Sequence, residues 1–544
     1  MTPQKNQNYL YGAAILAGAV VIVKILGGLY KLPMSDIMGN TAFGYFNVAY
    51  NLYNVLLALS TAGLPVALAK MIAEANSLGR PMQVRKIFST GLIAFIVLGT
   101  LGTAAMLAFP TELAIFMENE SASQSIAMLA PSVLLCCVMS AFRGYTQGLS
   151  DMRPTAVSQI IEVGAKVVFG LAVLLYFAHL GKSGPILSAG AISGVSVGSL
   201  VACVVVGIVA AKRMKLESAN TDNENQDLST DKRTTIVKSL IKIGIPIAFG
   251  ACVVAIVGMV NTKLIISQLQ SGVGMSRDDA TGLFGVYSLV LTLYGLPGAI
   301  VVPLSVSVIP AISGAIALDK MKEAREVTES SLRIATILMI PMAVGLSVLA
   351  KPIMGGLFES GGVEGAGLLA IMGISSFFFA LSTIMTAILQ ANGHERLPAV
   401  TIFLGGVANV AVNWYLIALP QFNIYGAAIG LSACNLLMFI LNLAFVMIKL
   451  PEKPSLKRVF LRPVINAVIM GVAAYILYPA FLQLIGAGPN PSRIMILAAM
   501  VAAIAIAAVV YIVLTITTKA VTMDDMVLIP GGGKLAKLLR VKEN

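Results

Sequence analysis

Charge is the scarcest property of this 544-residue chain: Asp, Glu, Lys and Arg together make up 11% of it. Soluble domains carry about 25%. A chain so poor in charge cannot cover a large globule with solvated side chains, so an ordinary soluble enzyme is excluded. Histidine is rarer still, with His179 and His394 the two present, too few for a histidine-built metal centre. The five cysteines, Cys136, Cys137, Cys203, Cys252 and Cys434, all fall inside apolar runs. They read as packed thiols rather than as disulfides or metal ligands. A cleavable leader is not evident, because the first apolar run is long, contains Lys24 and lacks a small-residue cleavage site. Large outer loops with paired carboxylates are also missing, which disfavours a membrane glycosyltransferase or polymerase. Glu112, Glu118 and Glu120 read as a solvated acidic face.

What the chain has in abundance is hydrophobic length. Hydrophobic residues make up 58% of it and the mean hydropathy is +0.89. Apolar runs of about 20 residues recur along the chain, and backbone in lipid must close its own hydrogen bonds. The expected fold is an all-α polytopic membrane protein of about fourteen transmembrane helices. They run from Leu10–Tyr30 and Ala42–Lys70 to Val459–Ile485 and Ile494–Thr517. The net charge of +12 lies in short loops between spans, so nucleic acid is not the partner. Basic groups follow span two (Lys70, Arg80, Arg85, Lys86), span six (Lys212, Arg213, Lys215), span eight (Lys320, Lys322, Arg325) and span twelve (Lys449, Lys453, Lys457, Arg458). All four fall on one side, which the positive-inside rule assigns to the cytoplasm together with both termini.

The first twelve spans repeat. Pro65–Arg80 echoes Ser305–Lys320, Arg143–Gly148 echoes Thr386–Ala391, and Ala156-Val157 echoes Ala399-Val400, at offsets near 240. Six spans per copy makes the copies parallel, a transporter arrangement. The expected organisation is an N-terminal six-helix lobe (1–216), a polar cytoplasmic linker (217–235) and a C-terminal six-helix lobe (236–450). Two further membrane helices (451–518) and a basic amphipathic cytoplasmic tail (519–544) follow.

Polar residues inside the spans are the functional candidates, because an ammonium at a helix centre costs roughly 2.5–3.5 kcal/mol on insertion scales. Lys24 lies about 21 Å along the first helix, and Lys31 shares its face seven residues on. Asn47, Asn51 and Asn54 form a stripe on span two, readable as a cavity lining or as interhelical glue. Span five carries Glu162 and Lys166, which either line a cavity or neutralise one another as an i, i+4 pair. Lys263 lies on span seven. Cations outnumber carboxylates in this set, which suits an anionic ligand such as phosphate or pyrophosphate. Gly63, Pro65, Pro246 and Pro297 interrupt apolar helices and are candidate hinges.

Three stretches carry a family resemblance. They are Lys24–Pro33 with Leu59–Pro65; Arg143-Gly-Tyr-Thr-Gln-Gly148 followed by Pro154–Glu162; and Leu389-Gln390, Pro398-Ala-Val400 and Asn423–Gly430. Over nearly its whole length the chain resembles the polysaccharide biosynthesis, or sporulation stage V protein B-like, branch of the multidrug/oligosaccharidyl-lipid/polysaccharide exporter superfamily. Lipid II flippases belong to the same superfamily. The resemblance implies two six-helix lobes in a V shape, with the extra helices forming a groove for a polyprenyl tail. It also implies a cationic cavity for the pyrophosphate-linked head group. By position, Lys24 matches a cavity-lining basic residue and Lys31 lies near a second. Lys263 falls near a helix-seven position where this branch often has an acid.

The expected function is alternating-access flipping of a polyprenyl-pyrophosphate-linked saccharide, lipid II foremost, in the bacterial cytoplasmic membrane. The alternatives are a drug/cation antiporter of the same fold, or export of another lipid-linked polysaccharide precursor. The protein is expected to be a monomer and not an enzyme, with membrane lipids around it and no cofactor. Sodium, protons or the membrane potential remain open as the energy source.

Overall fold

The computed structural model describes residues 3–61, 63–219, 230–359, 362–486, 488 and 491–521. Those residues form helices joined by turns and short loops. The first helix, α1 (Pro3–Thr61), joins two expected spans: Gly39 interrupts it with φ 74° and ψ 169°. That backbone conformation is open to glycine and costly for any residue with a Cβ. Among the described residues 13 helices are long and apolar enough to cross a membrane. The first of these, Gly18–Ala58, is 41 residues long. Divided at Gly39, it supplies two crossings, which brings the total to the expected fourteen.

The remaining helices are α2 (Leu64–Ser77), α3 (Pro81–Ala108), α4 (Pro110–Phe116), α5 (Ser123–Gly148), α6 (Arg153–His179), α7 (Gly184–Ala219) and α8 (Arg233–Ser271). They continue as α9 (Arg277–Ala317), α10 (Met321–Val348), α11 (Ala350–Leu357), α12 (Gly362–Ala391), α13 (Arg396–Leu416), α14 (Tyr425–Lys449), α15 (Arg462–Leu484) and α16 (Arg493–Thr517). The repeat is visible in where they begin and end. Helices α5 and α12 end at Gly148 and Ala391, and α6 and α13 begin at Arg153 and Arg396, each pair 243 positions apart.

Span two divides at Gly63 and Pro65, since α1 stops at Thr61 and α2 starts at Leu64 with Pro65 in its first turn. Proline is tolerated there, since the first-turn N–H groups have no intrahelical partner. Gly63 sits where a Cβ would run into the carbonyl oxygen of Gly244 on α8, so it is a close-packed crossing point. The linker is also shorter than 217–235, since helix continues to Ala219 and resumes at Arg233. Asp231 at its end is held on α3, its carboxylate accepting from Gln83 at 2.7 Å and its N–H donating to Gln83 at 2.9 Å. Among the candidate hinges, Pro297 is buried within the continuous helix α9, and α8 runs through position 246, whose side chain lies outside the described residues. Most of the C-terminal tail, 522–544, also lies outside them.

The contacts divide the chain into two compact units, Met1–Gln270 with Gly274–Gly285, and Ser271–Val273 with Val286–Asn544. The first unit therefore takes in α8 and the first nine residues of α9. Within it, α5 and α7 are joined by paired serines, Ser125 with Ser188 at 2.7 Å and Ser132 with Ser196 at 2.8 Å. In the second unit α15 packs on α10, and α16 on α11. Arg493 at the start of α16 donates to the carbonyls of Gly356 and Leu357 at the end of α11. A cation at a helix C-terminus satisfies orphan carbonyls and complements the dipole. Tyr511 of α16 donates to the Ile337 carbonyl of α10 at 2.9 Å.

The helix that carries Glu162 and Lys166 is positioned by a glycine stripe. Gly190, Gly194 and Gly198 lie four apart on α7. A Cβ on Gly190 would meet the Phe177 ring at 2.6 Å, one on Gly194 the Gly170 Cα and Lys166 carbonyl at 2.6 Å, and one on Gly198 the Glu162 carbonyl oxygen. Small residues at this spacing let two membrane helices approach backbone to backbone. Gly194→Leu is expected to push α6 away and destabilise the fold by about 2 kcal/mol or more. Thermal unfolding of the detergent-purified protein reads this, and an unchanged midpoint would mean the contact is slack.

Candidate functional site

Four aromatic residues on the second half of α1 form a ladder: Phe43 to Phe46 at 6.1 Å, Phe46 to Tyr50 at 5.8 Å, and Tyr50 to Tyr53 at 5.8 Å. Their spacing of three and four residues places them on one helix face. Tyr53 is anchored at its hydroxyl, 3.1 Å from Cys136 Sγ, which in turn lies 3.5 Å from Ser199 Oγ. Buried Tyr30, on the first half of α1, donates to the Ala191 carbonyl of α7 at 3.1 Å. The ammonium of Lys166 lies over both half-fixed rings, 4.9 Å from the Tyr50 centroid and 5.8 Å from the Tyr30 centroid. A cation on aromatic faces gains about 0.5–2 kcal/mol, more as water is excluded.

Lys31 is half-buried and directly follows Tyr30 on α1. Lys24, seven residues earlier on the same face of α1, is exposed.

Glu162 and Lys166 do not pair with each other. Glu162 Oε2 instead accepts from Arg143 Nη2 at 2.9 Å, while Arg143 Nε donates to Ser158 Oγ, also at 2.9 Å. Arg143 therefore pins α5 to α6, and its charge fixes the carboxylate one helical turn from Lys166. Arg143 is the site residue that charge spacing alone does not find. Its sequence signal is a position near the end of a membrane helix, inside the motif shared with the family, with a carboxylate on the next span.

The remaining candidates divide. Asn47 donates to the Phe43 carbonyl of its own helix at 2.7 Å. Asn51 donates to Thr262 Oγ1 of α8 at 2.9 Å, so it joins two helices. Asn54 is half-buried. Lys263 lies next to Thr262 but meets Glu118 at 3.9 Å and sits 4.2 Å from the Phe116 centroid. Glu118 and Glu120 are therefore not a plain solvated face, since Glu120 also meets Arg277 at 3.5 Å. Near them Tyr45 donates to Asp278 and Asn119 to Thr281, both at 2.7 Å. All of these groups belong to the first unit.

The profile of the polysaccharide biosynthesis protein family matches residues 9–316. The chain belongs to this family. The MatE profile matches residues 246–415. Among curated relatives, the lipid II flippase MurJ of Bacillus subtilis is 25% identical over 87% of this chain and 88% of its own. The stage V sporulation protein B of the same organism is 24% identical over 97% and 99%. In fold, the chain is similar to the lipid II flippase MurJ in an inward closed conformation, with a TM-score of 0.63 and 17% identity, covering 92% of this chain and 98% of that one. An inward-facing multidrug resistance MATE family transporter superposes with a TM-score of 0.60 at 15% identity, covering 78% and 96%. The protein is a multi-pass membrane member of the polysaccharide biosynthesis family.

Removing one partner of the Arg143–Glu162 pair strands a charge that is mostly shielded from water. Glu162→Ala is expected to destabilise the protein by about 3 kcal/mol, and Arg143→Met with Glu162→Leu together by clearly less. Thermal unfolding of both variants in one detergent measures the difference. Equal losses would mean that Arg143 finds another counter-charge.

Proposed function

We propose that this protein is a flippase that moves a polyprenyl-pyrophosphate-linked saccharide, lipid II foremost, from the inner to the outer leaflet of the bacterial cytoplasmic membrane. The observation that carries this reading is Lys166, an ammonium inside a span of the first unit that lies 4.9 Å from the Tyr50 ring centroid and 5.8 Å from that of Tyr30. A cation stabilised by ring faces keeps its field for an anion, and a pyrophosphate offers several acceptor oxygens to it and to Lys31, which follows Tyr30 on α1. The relative named a lipid II flippase supports the same class of cargo. Lys24 on the same face extends the cationic lining, and the two repeat halves exchange access from one side to the other. Binding stays modest, since a cargo held too tightly would not leave.

The second reading is a drug/cation antiporter, favoured by the MatE profile over residues 246–415. Such a site calls for a carboxylate open to a cation. Glu162 is already engaged by Arg143, and that weighs against it.

Lys31→Ala with Lys166→Ala is expected to lower head-group translocation in proteoliposomes at least tenfold while the protein still inserts and unfolds near the wild-type midpoint. Lys24→Ala is expected to fail as the sole flippase in cells depleted of the native protein. Wild-type rates from these variants, or efflux of a cationic drug by the purified protein in vesicles, would favour the antiporter. Accumulation of a lipid-linked intermediate in the inner leaflet on depletion identifies the cargo.

A further inference from the structure

The second unit holds a cavity of about 470 Å³ lined by Gly393, His394, Glu395, Arg396, Leu397 and Lys449. Its floor is the turn between α12 and α13, and that turn is fixed by its own backbone. Gly393, at φ 78°, donates to the Gln390 carbonyl at 3.0 Å, and His394 donates to the Leu389 carbonyl at 2.9 Å. This is the paired hydrogen-bond pattern that closes a helix C-terminus around a left-handed glycine. The Asn392 side chain adds a bond to the Ile388 carbonyl at 2.8 Å. Helix α13 then starts at once, at Arg396. Arg396 stands in its first turn, and Lys449 reaches the cavity from the last turn of α14. Two permanent cations and one histidine thus face a single carboxylate, Glu395.

The exposed surface beside the cavity is apolar. Below Arg396, the exposed residues of α13 include Val400, Phe403, Leu404 and Val407, a stripe along one helix face. The same helix ends with exposed Trp414 and Tyr415, the aromatic pair expected where a span meets an interface. A charged cavity at one end of an apolar stripe as long as a membrane helix matches a lipid in outline: an anionic head above, acyl chains below. Dissolved phosphate would use the cavity but not the stripe.

We propose that this cavity binds the phosphate head group of an anionic membrane phospholipid, at the end of α13 that the basic-loop pattern assigns to the cytoplasm. Arg396 and Lys449 hold the phosphate oxygens, and the acyl chains lie along Val400, Phe403 and Val407. Cavities of this size commonly hold small ligands. The site lies in the second unit and shares no residue with Lys31 and Lys166, so it stands whether or not the flippase reading does.

The test is thermal stabilisation of the full-length protein in detergent by phosphatidylglycerol, against phosphatidylcholine and against inorganic phosphate. Phosphatidylglycerol is expected to stabilise the wild type where phosphatidylcholine and phosphate do not. R396Q/K449Q, at exposed positions, is expected to weaken that response at least about tenfold. E395Q is expected to strengthen it, and K453Q outside the cavity to leave it unchanged. Equal stabilisation by phosphatidylcholine, an unaltered response in R396Q/K449Q, or full stabilisation by inorganic phosphate alone would each overturn the proposal.

Discussion

A cation placed inside a membrane helix must be met by something other than lipid, and the first unit is arranged around that requirement. It meets it in three ways. Arg143 is met by Glu162 and Ser158 at hydrogen-bond distance. Lys263 has a carboxylate at 3.9 Å and an aromatic face at 4.2 Å. Lys166 rests on two tyrosine faces, which stabilise its charge without neutralising it. That is a difference in kind. A carboxylate cancels the field of its partner, whereas a ring leaves most of that field for a third group to feel.

The close packing of α6 on α7 is the precondition. Lys166 reaches the rings of α1 because α6 lies with its backbone against Gly194 and Gly198. Leucine at either position would move α6 by more than the tolerance of a cation–aromatic contact. Packing that looks purely structural is therefore what sets the electrostatics.

Much of this was legible in the chain itself. Apolar length gave the spans, and the near-constant offset gave the repeat, because both are local or periodic signals. Lys24, Lys31, Lys166 and the asparagine stripe stood out for the same reason, as polar residues in apolar runs. Their partners did not. Asn51 meets Thr262 across 211 positions, and Glu118 meets Lys263 from a loop. Hydrophobic periodicity holds no information about which faces oppose each other. The i, i+4 spacing of Glu162 and Lys166 was a local rule that a longer-range partner overrode, since Arg143 offers a fixed fork and a short contact. The division between α1 and α2 was signalled by Gly63 and Pro65, two helix breakers inside an apolar run. The glycine stripe on α7 was open to reading, and four-residue spacing inside a span was its signal.

The second unit solves its buried polarity differently. Among the described residues, the buried polar side chains of α12, α13 and α14 are neutral: Ser375, Ser376, Ser382, Thr401, Asn409, Asn413, Asn435 and Asn442. Asn435 donates to Tyr294 at 2.7 Å and to Ser375 at 2.8 Å, and Asn442 accepts from Thr401 at 2.9 Å. Amides and hydroxyls tie helices together without the desolvation penalty of an ion. The buried pair Arg333–Glu329 stands on α10, where Glu329 also accepts the Ser455 amide and so ties α10 to the segment leading into α15. Within α12, α13 and α14 the second unit thus ties its helices together with neutral groups, while its buried ion pair stands inside α10, where the mutual contact and the Ser455 amide must offset the cost of taking both charges out of water.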